Sequence, residues 1–420
     1  MKPSRLLFTV AGLFSVSVAP AAVTVDDTTL LRRIADKICA ETRFELVTVA
    51  SNAPVSIAEA AASPEELVVA SPLASWSYTT ALVIDGLERL GAQLEEPRYR
   101  EFGNRVFAWQ FSAQNLAAQT QKKKDRIRGL AQFDQLRSVW GTGDMAAALT
   151  EVMRDEPRED YRAYLERVAA FFRAYPHRAP HGAFLRNTIG EGGAVVEHDL
   201  YPPAVFLGRL GRLTGETRHY EAALDQVEAF FAALWDPHVR LLSHIALPGT
   251  EYRSGIFWCR GNGWVAMGLA DLLENLPADH PRRPVLLRHY RELVYGLNRW
   301  QTKSGLWRHV LDREDSEPET SGSAMIVYAI AKGVNQGWLD PLFRVTVIAG
   351  WAGLKSQMDD AGNIDGGVGS VGVSVAPAYL VRVPVEKNDL RGPGPVLLAG
   401  QEMLTLLKKY PKPRPNDWRN

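Results

Sequence analysis

Apolar residues recur at helical spacing along most of the chain. The stretch Leu200–Leu213 carries one apolar stripe and ends at Thr214-Gly215, and Tyr220–Leu234 resumes the stripe after the turn. A helix, a glycine turn and a second helix form an αα-hairpin. A similar pair is predicted from Ser77 to Leu90 and from Tyr99 to Phe111.

Eight more stretches have the same period and bring the total to about twelve helices, or six hairpins. They are residues 30–42, 145–154, 161–174, 265–276, 286–300, 321–336, 342–358 and 396–409. Helical hairpins must bury their apolar faces on neighbours, either in an open solenoid or in a closed double ring. The pattern predicts an all-α protein, either an open solenoid or an (α/α)6 barrel in which the first and last helices could pair to close the ring. Residues 307–319 and 362–389 look irregular. Strand-like pieces such as Gly367–Val375 are expected in loops over one end of the barrel.

The chain begins like a secretory signal peptide. Lys2 and Arg5 precede an apolar run, Leu6–Val18, which is followed by the small residues of Ala19-Pro20-Ala21-Ala22. The run is shorter than the roughly 20 residues that a membrane span needs. We therefore expect cleavage after residues 1–22, export to the periplasm or the outside, and no stable membrane insertion.

The rest of the composition is that of a soluble globular protein. The 420 residues carry 48 basic and 48 acidic side chains, so no global positive field favours nucleic acid. We expect one catalytic domain over residues 23–410, a polar tail at 411–420, and a monomer or weak homo-oligomer. Cys39 and Cys259 could form one bridge, but two thiols do not make a disulfide scaffold.

The segment Trp258-Cys259-Arg260-Gly261-Asn262-Gly263-Trp264 opens a predicted helix. The glycines flanking Asn262 allow a ligand to approach the backbone closely. Arg260 offers a planar fork suited to a carboxylate, and the two tryptophans offer flat faces for sugar rings. The alternative is that both tryptophans pack in the core and that Arg260 pairs with a structural acid.

Three titratable residues, Glu197-His198-Asp199, come directly before the hairpin that begins at Leu200. Asp199 could instead cap the helix that follows. This sequence does not place three side chains on one ion, so we predict no metal site, and no cofactor motif is present. Taken alone, Asp134 reads as a capping or surface acid and His244 as a hydrogen-bonded structural histidine.

Together, these segments resemble unsaturated glycuronyl hydrolases, chiefly glycoside hydrolase family 105, with family 88 related. The matching text is HDLYPPAVFLGRLGRLTG from His198, LWDPHVRLLSH up to His244, WCRGNGWVAMGLADLLENLP from Trp258, GLWRHVLDREDSEPETSGSAM from Gly305 and GPGPVLLAGQEML from Gly392. The resemblance is strong over residues 197–404 and weaker over 70–190, where WSYTTALVIDGL from Trp76 still fits. It implies an (α/α)6 barrel, in agreement with the helix count.

The resemblance also implies a chemistry. Polysaccharide lyases leave a Δ4,5-unsaturated uronic acid at the non-reducing end, and family members add water across that double bond, with an Asp that protonates it and activates water. The partner would be a small acidic oligosaccharide. Trp258, Arg260 and Trp264 match the family's substrate-contacting motif, and His244 matches a histidine near the unsaturated sugar. We expect the substrate site to include also Asn262, Trp140 and Tyr78.

One departure affects the main catalytic position. The family text is typically W-x-D-x-L-[FY]-M, and an ungapped match places its Asp on His198, with Asp199 on the variable next position. Asp134 plausibly matches the Asp of a first motif, LDxxG, although its flanks depart from that text. Asp199 could have taken over protonation, His198 could serve as the acid with Asp134 or Asp199, or the site could have lost the hydration chemistry.

Three functions therefore remain open. The first is an exported enzyme that hydrates the unsaturated uronyl end of lyase products. The second is a different activity on the same barrel, such as an ordinary glycosidase, a lyase or an epimerase, and the departure at His198 motivates it. The third is a non-catalytic oligosaccharide-binding protein that kept the cleft.

Overall fold

The computed structural model describes residues 23–60, 63, 65–119, 127–130, 133, 136, 139–189, 192–369 and 385–411. The expected signal segment, Asp134 and nearly all of the polar tail lie outside the described residues. Within these ranges no helix is long and apolar enough to cross a bilayer.

All twelve predicted helices are present, and most of their ends lie within a few residues of the prediction. The helix predicted to end at Phe111 continues eight residues further to Gln119, and the helix predicted from Val265 begins six residues earlier at Cys259. The twelve helices are α1 Asp27–Glu41, α3 Tyr78–Leu94, α4 Pro97–Gln119, α5 Gly143–Asp155, α6 Glu159–Ala174, α7 Tyr201–Thr214, α8 Thr217–Leu234, α9 Cys259–Asn275, α10 Arg283–Arg299, α11 Thr320–Asn335, α12 Arg344–Lys355 and α13 Pro393–Lys409. A short helix, α2, covers Ile57–Ala60.

Six of the long helices form an inner ring. In chain order α3, α5, α7, α9, α11 and α13 each pack on the next, and α13 packs back on α3. Small residues allow this closure: a Cβ at Gly86 of α3 would lie only 2.8 Å from the Cβ of Leu397 on α13. The other six surround the ring, and α1 packs against α13. The predicted pairing of the first and last helices is therefore confirmed.

Short antiparallel ladders lie in the loops. One sheet has the order β2-β1-β3 and contains β1 Leu46–Thr48, β2 Pro54–Val55 and β3 Leu67–Val69. The other pairs are β4 Val195–Val196 with β7 Ile245–Ala246, β5 Trp235–Asp236 with β6 Leu241–Leu242, β8 Trp307–Arg308 with β9 Pro318–Glu319, and β10 Asp365–Val368 with β11 Val385–Lys387. The last two pairs lie in the stretches that the sequence marked as irregular. Strand β10 begins the predicted strand-like piece, and the residues after Gly369 in that piece lie outside the description.

A buried set of charges crosses the inner ring. Arg209 of α7 donates to both oxygens of Asp85 on α3, at 2.8 and 2.9 Å, and to Asp271 on α9 at 2.7 Å. Arg89 pairs with Glu274 at 2.8 Å, and Glu274 also accepts from the Lys332 ammonium at 2.6 Å. We call the following residues the barrel charge network: Asp85, Arg89, Glu151, Arg209, Asp271, Glu274, Lys332 and Glu402.

Pairing and burial compete in this network: burial prevails at Asp85 and raises its pKa despite Arg209, whereas pairing prevails at Glu274. Burial alone would raise the pKa of Glu274, but Arg89 and Lys332 lower it well below its usual range.

Cys39 and Cys259 are both free thiols, so the bridge that the sequence left possible is not formed.

Candidate active site

The candidate residues converge because the inner helices begin at the same end of the barrel. Tyr78 begins α3, Asp144 lies in the first turn of α5, and Trp258 is the N-cap residue of α9. A single 3₁₀ turn, Glu197–Leu200, stands directly before α7. The β4–β7 ladder then fixes the loops: Val196 pairs with Ile245, and the Glu197 N–H donates to the His244 carbonyl at 3.2 Å.

Glu197 and His244 form a buried pair, 0% and 1% exposed. The His244 Nδ1 lies 2.8 and 2.7 Å from the two carboxylate oxygens of Glu197. Full burial would raise the pKa of Glu197, but His244 and His198 outweigh burial and hold that pKa below its usual value. The His244 Nε2 is buried and has no hydrogen-bond partner among the described residues. The carboxylate thus orients an imidazole whose far nitrogen is available.

Next to this pair, Arg186 holds Asp199 and His198 together. Its Nε donates to the Asp199 Oδ2 at 3.0 Å and its Nη2 to the other oxygen, while Nη2 also lies 3.0 Å from the His198 Nε2. Arginine only donates, so this Nε2 accepts and the proton of a neutral His198 sits on Nδ1. Burial lowers the pKa of His198 and favours the neutral form.

These hydrogen bonds bear on metal binding. Ligand atoms of Glu197, His198 and His244 lie within 4.8 Å of one another, close enough for one ion to contact all three. A ligating imidazole needs an unprotonated nitrogen toward the ion. Here Arg186 places the His198 proton on Nδ1, the nitrogen 3.7 Å from Glu197, and the His244 Nδ1 is already hydrogen-bonded to that carboxylate. The arrangement fits a proton-carrying pair better than a metal centre.

Trp258 is the centre of an imidazole cluster. Its ring stands edge-on to His244 at 5.2 Å, to His198 at 5.3 Å and to His309 at 6.2 Å between centroids. Its indole Nε1 has no partner within the described part of the chain. On the other side, His198 meets the edge of Trp140 at 4.8 Å, and Trp140 contacts Tyr78 at 5.1 Å. Aromatic rings thus border the cluster on two sides.

Asp144 is an acid that the sequence analysis missed. The Gly141 N–H donates to its Oδ2 at 2.9 Å, whereas its buried Oδ1 finds no partner in the described residues. Burial, together with the charge of Asp199, raises the pKa of Asp144 to about 7. In the sequence it looks like an ordinary acid in the first turn of a helix, which the helix dipole would favour.

Residues 56–407 match the family model described as Glycosyl Hydrolase Family 88. The chain belongs to this family. Among curated relatives, the unsaturated 3S-rhamnoglycuronyl hydrolase of Alteromonas sp. (strain LOR) is 36% identical over 152 residues, 36% of this chain and 35% of that protein. The unsaturated rhamnogalacturonyl hydrolase YesR of Bacillus subtilis (strain 168) is 31% identical over 175 residues, 40% of this chain and 51% of that protein. The matches thus span about a third to a half of these relatives.

Solved structures share the fold of this family 88 chain. A possible member of the GH105 family from Klebsiella pneumoniae subsp. pneumoniae MGH 78578 superimposes with a TM-score of 0.72 at 18% identity, over 97% of this chain and 100% of that one. A family 105 glycoside hydrolase from C. acetobutylicum ATCC 824 gives 0.69 at 22% identity, over 89% and 99%. The predicted six-hairpin barrel and the family resemblance are both confirmed.

Within this family 88 barrel, the WCRGNGW segment turns inward. Arg260 is 3% exposed, and its donors go to Glu319 at 3.3 Å and to the carbonyls of Val368 and Gly369 at 2.7 and 3.0 Å. Asn262 accepts from the Leu242 N–H at 2.9 Å. These bonds favour the alternative interpretation, in which Arg260 pairs with a structural acid.

Trp264 is also internal, since it is buried against Tyr201, Trp140 and Tyr78. Trp140 and Tyr78 are half-buried and remain at the edge of the cluster.

Proposed function

We propose that this family 88 member hydrates the Δ4,5-unsaturated uronic acid at the non-reducing end of oligosaccharides released by polysaccharide lyases. Family membership and the activities named for its relatives support the reaction class. The observation that carries the proposal is the buried Glu197–His244 pair. It places a proton carrier, whose outer nitrogen has no hydrogen-bond partner in the described ranges, beside aromatic rings that can pack on a sugar.

In the proposed mechanism His244 is first an acid and then a base. Its Nε2–H bond breaks as the proton forms a bond to C4 of the C4=C5 double bond, and the ring oxygen stabilises the positive charge at C5. A water molecule then attacks C5 and gives its proton to Nε2, which restores the imidazolium. The hydrated ring opens and releases the next sugar. The Glu197 carboxylate stabilises the imidazolium at both ends of the cycle.

Asp199 and His198, the two residues that the sequence analysis considered as the acid, have supporting roles in this proposal. Both oxygens of Asp199 accept hydrogen bonds from Arg186, so Asp199 neutralises that guanidinium rather than carrying the proton. His198, bonded to the same guanidinium and packed against Trp140, is held with its Nδ1 3.7 Å from the carboxylate of its neighbour Glu197. Asp134 stays a prediction outside the described residues.

The test is the ultraviolet absorbance of the protein mixed with a panel of lyase-generated unsaturated oligosaccharides. Hydration removes the conjugated double bond, so the absorbance falls, and the member consumed fastest names the sugar. His244→Gln should lower kcat by about 10²–10⁴-fold, the usual contribution of a general acid. His280→Gln is the matched control, because His280 pairs with Glu221 outside the candidate site.

Full activity of His244→Gln together with an inactive Asp199→Asn would contradict the assignment and make Asp199 the acid. No loss of absorbance on any panel member, with new reducing ends from saturated oligosaccharides, would favour a different hydrolytic activity. The presence of His198 at the family's Asp position motivates that second candidate. Binding of the panel without turnover would favour a binding protein.

We also propose that the chain is exported. The support is the sequence of residues 1–22, a basic start, an apolar run and small residues at its end. N-terminal sequencing of protein recovered from outside the cytoplasm should begin near residue 23. An intact Met1 in that fraction would contradict cleavage.

A further inference from the structure

His309 is a buried imidazole that the proposed mechanism does not use. It lies between β8 and β9, in the connection from α10 to α11. Its N–H donates to the Glu317 carbonyl at 2.7 Å, and its own carbonyl accepts from the N–H of Cys259, the first residue of α9, at 2.9 Å. The backbone is therefore fixed on both sides, and the ring is held against Trp258.

The side chain of His309 is nevertheless unsatisfied. The residue is 2% exposed, and neither Nδ1 nor Nε2 has a hydrogen-bond partner among the described residues. Buried polar groups in folded proteins are nearly always hydrogen-bonded, and one that is not calls for an explanation such as a catalytic role, a bound ligand or a water molecule. A phenylalanine would fill a similar space without this cost. Within the described part of the chain, the polar ring thus has both nitrogens left for a partner such as a ligand.

The surroundings of His309 define what that partner can be. Burial and the neighbouring Arg260 and His244 lower the pKa of His309 to about 3, so the ring is neutral at any working pH. A neutral imidazole carries one donor and one acceptor on opposite sides of the ring. A sugar hydroxyl can serve either nitrogen because it both donates and accepts, whereas a carboxylate can only accept.

From this geometry we infer that His309 is a substrate-contacting, specificity-determining residue that binds a hydroxyl of the sugar held beside Trp258. The inference rests on the proposed function, since it places the substrate in the same imidazole cluster. His309 recognises one hydroxyl there, and the Glu197–His244 pair performs the proton transfer. Loss of that hydroxyl should leave the buried ring without its partner, which makes the discrimination strong.

The experiment measures binding separately from turnover. Unsaturated uronyl disaccharides, one complete and others lacking a single ring hydroxyl, are titrated by calorimetry into the His244→Gln protein, with and without His309→Phe. We expect His309→Phe to weaken binding of the complete disaccharide about 10–100-fold, and His309→Gln to weaken it less because an amide keeps a donor and an acceptor. One deoxy disaccharide should bind both proteins equally weakly.

The melting temperature provides the structural control. It should stay the same or rise in His309→Phe, since the variant buries no unsatisfied nitrogen. Unchanged affinity in His309→Phe would overturn the inference and leave the ring bonded to water only. Equal weakening for every deoxy disaccharide would also overturn it, because His309 would then shape the site without recognising one hydroxyl. If the disaccharides bind and His309 behaves as expected but unmodified protein hydrates none of them, the proposed function fails while the hydroxyl contact stands. If unmodified protein binds none, both fail.

Discussion

The barrel contains two buried polar clusters that differ in how completely they are satisfied. In the barrel charge network each charged side chain meets an opposite charge, as Arg209 does with Asp85 and Asp271. The second cluster, the active-end cluster, surrounds Trp258 and lies where the inner helices begin. Its polar atoms without a protein partner among the described residues are the His198 Nδ1, the His244 Nε2, both His309 nitrogens, the Trp258 Nε1 and the Asp144 Oδ1.

The difference separates stability from function. Leaving a buried donor or acceptor unpaired costs about 1–3 kcal/mol. The active-end cluster therefore destabilises the fold, whereas the barrel charge network joins the inner helices. Such a cluster persists when a ligand completes its bonds. The contrast predicts that substitutions in the network mainly destabilise the protein, whereas substitutions in the cluster mainly reduce activity.

The largest expected loss of stability follows from breaking the network at its centre. Arg209→Met leaves Asp85 and Asp271 buried without their common partner, and removing one member of a buried pair typically costs about 3–5 kcal/mol. Denaturant unfolding measures the loss. Arg218→Met is the control, because that arginine is exposed and pairs with Glu216, itself partly exposed. Equal stability of the two variants would mean that the network does not hold the ring.

A smaller destabilisation but a severe loss of activity is expected from Gly261→Ala. A Cβ at this position would overlap the Glu197 carboxylate, so Glu197 must move away from His244. Overpacking of this kind costs about 1–3 kcal/mol. We expect kcat to fall as far as in His244→Gln. Gly268→Ala on the same helix is the matched control, since its Cβ would meet ordinary contacts at 3.5 Å from Tyr201. An active Gly261→Ala would argue against the Glu197–His244 pair.

Asp144 makes the free energy of unfolding depend on pH. Because its pKa rises from 3.8 to about 7 on folding, the folded state holds a proton that the unfolded state releases, and stability falls as the pH rises from about 4 to 7. Asp144→Asn should remove this trend and stabilise the protein at pH 8 by more than about 1.4 kcal/mol, the free energy that corresponds to one pKa unit.

Melting curves at pH 5 and pH 8 test this expectation for Asp144. Asp225→Asn, an exposed aspartate on α8, should shift neither curve. A gain at pH 5 as large as at pH 8 would contradict the titration of Asp144 and point to a pH-independent packing effect.

The smallest effect is expected at a surface counterpart of the network. Arg282 pairs with Glu221, Asp225 and Glu228, three acids that are each at least two-fifths exposed. Exposed pairs contribute about 0–1 kcal/mol and are screened by salt. Arg282→Met should therefore shift the unfolding midpoint slightly at low salt and hardly at all at high salt. A loss as large as for Arg209→Met would show that burial is not what distinguishes the network.

The sequence was sufficient for the helices because their apolar period is local. The stripe over Leu200–Leu213, for example, becomes α7, which spans Tyr201–Thr214. The site was harder to predict because its bonds join distant residues. Glu197 was noticed only as a neighbour of His198, and nothing local shows that it meets His244 through the β4–β7 ladder.

Burial explains the other differences between sequence and structure. Arg260 was expected at the substrate, but its bonds to Glu319 and to the loop after β10 depend on the packing of α9 against α11. Nothing in the sequence around Asp144 or His309 indicated a role in the site. A buried nitrogen or oxygen without a hydrogen-bond partner can be recognised only in the folded structure. Gly261 was noticed for its flexibility, and its small size proved equally relevant to Glu197.

The closure of α13 onto α3 also has a consequence for how the chain folds. Contacts such as Gly86 with Leu397 join residues about three hundred positions apart, so the topology has a high contact order at the seam. The first inner helix lacks one of its neighbours until the last has been synthesised, and the incomplete ring exposes apolar surface in the meantime. A chain that ends before α13 should therefore aggregate rather than form a smaller barrel, whereas a circular permutant opened at Gly215 would keep every seam contact.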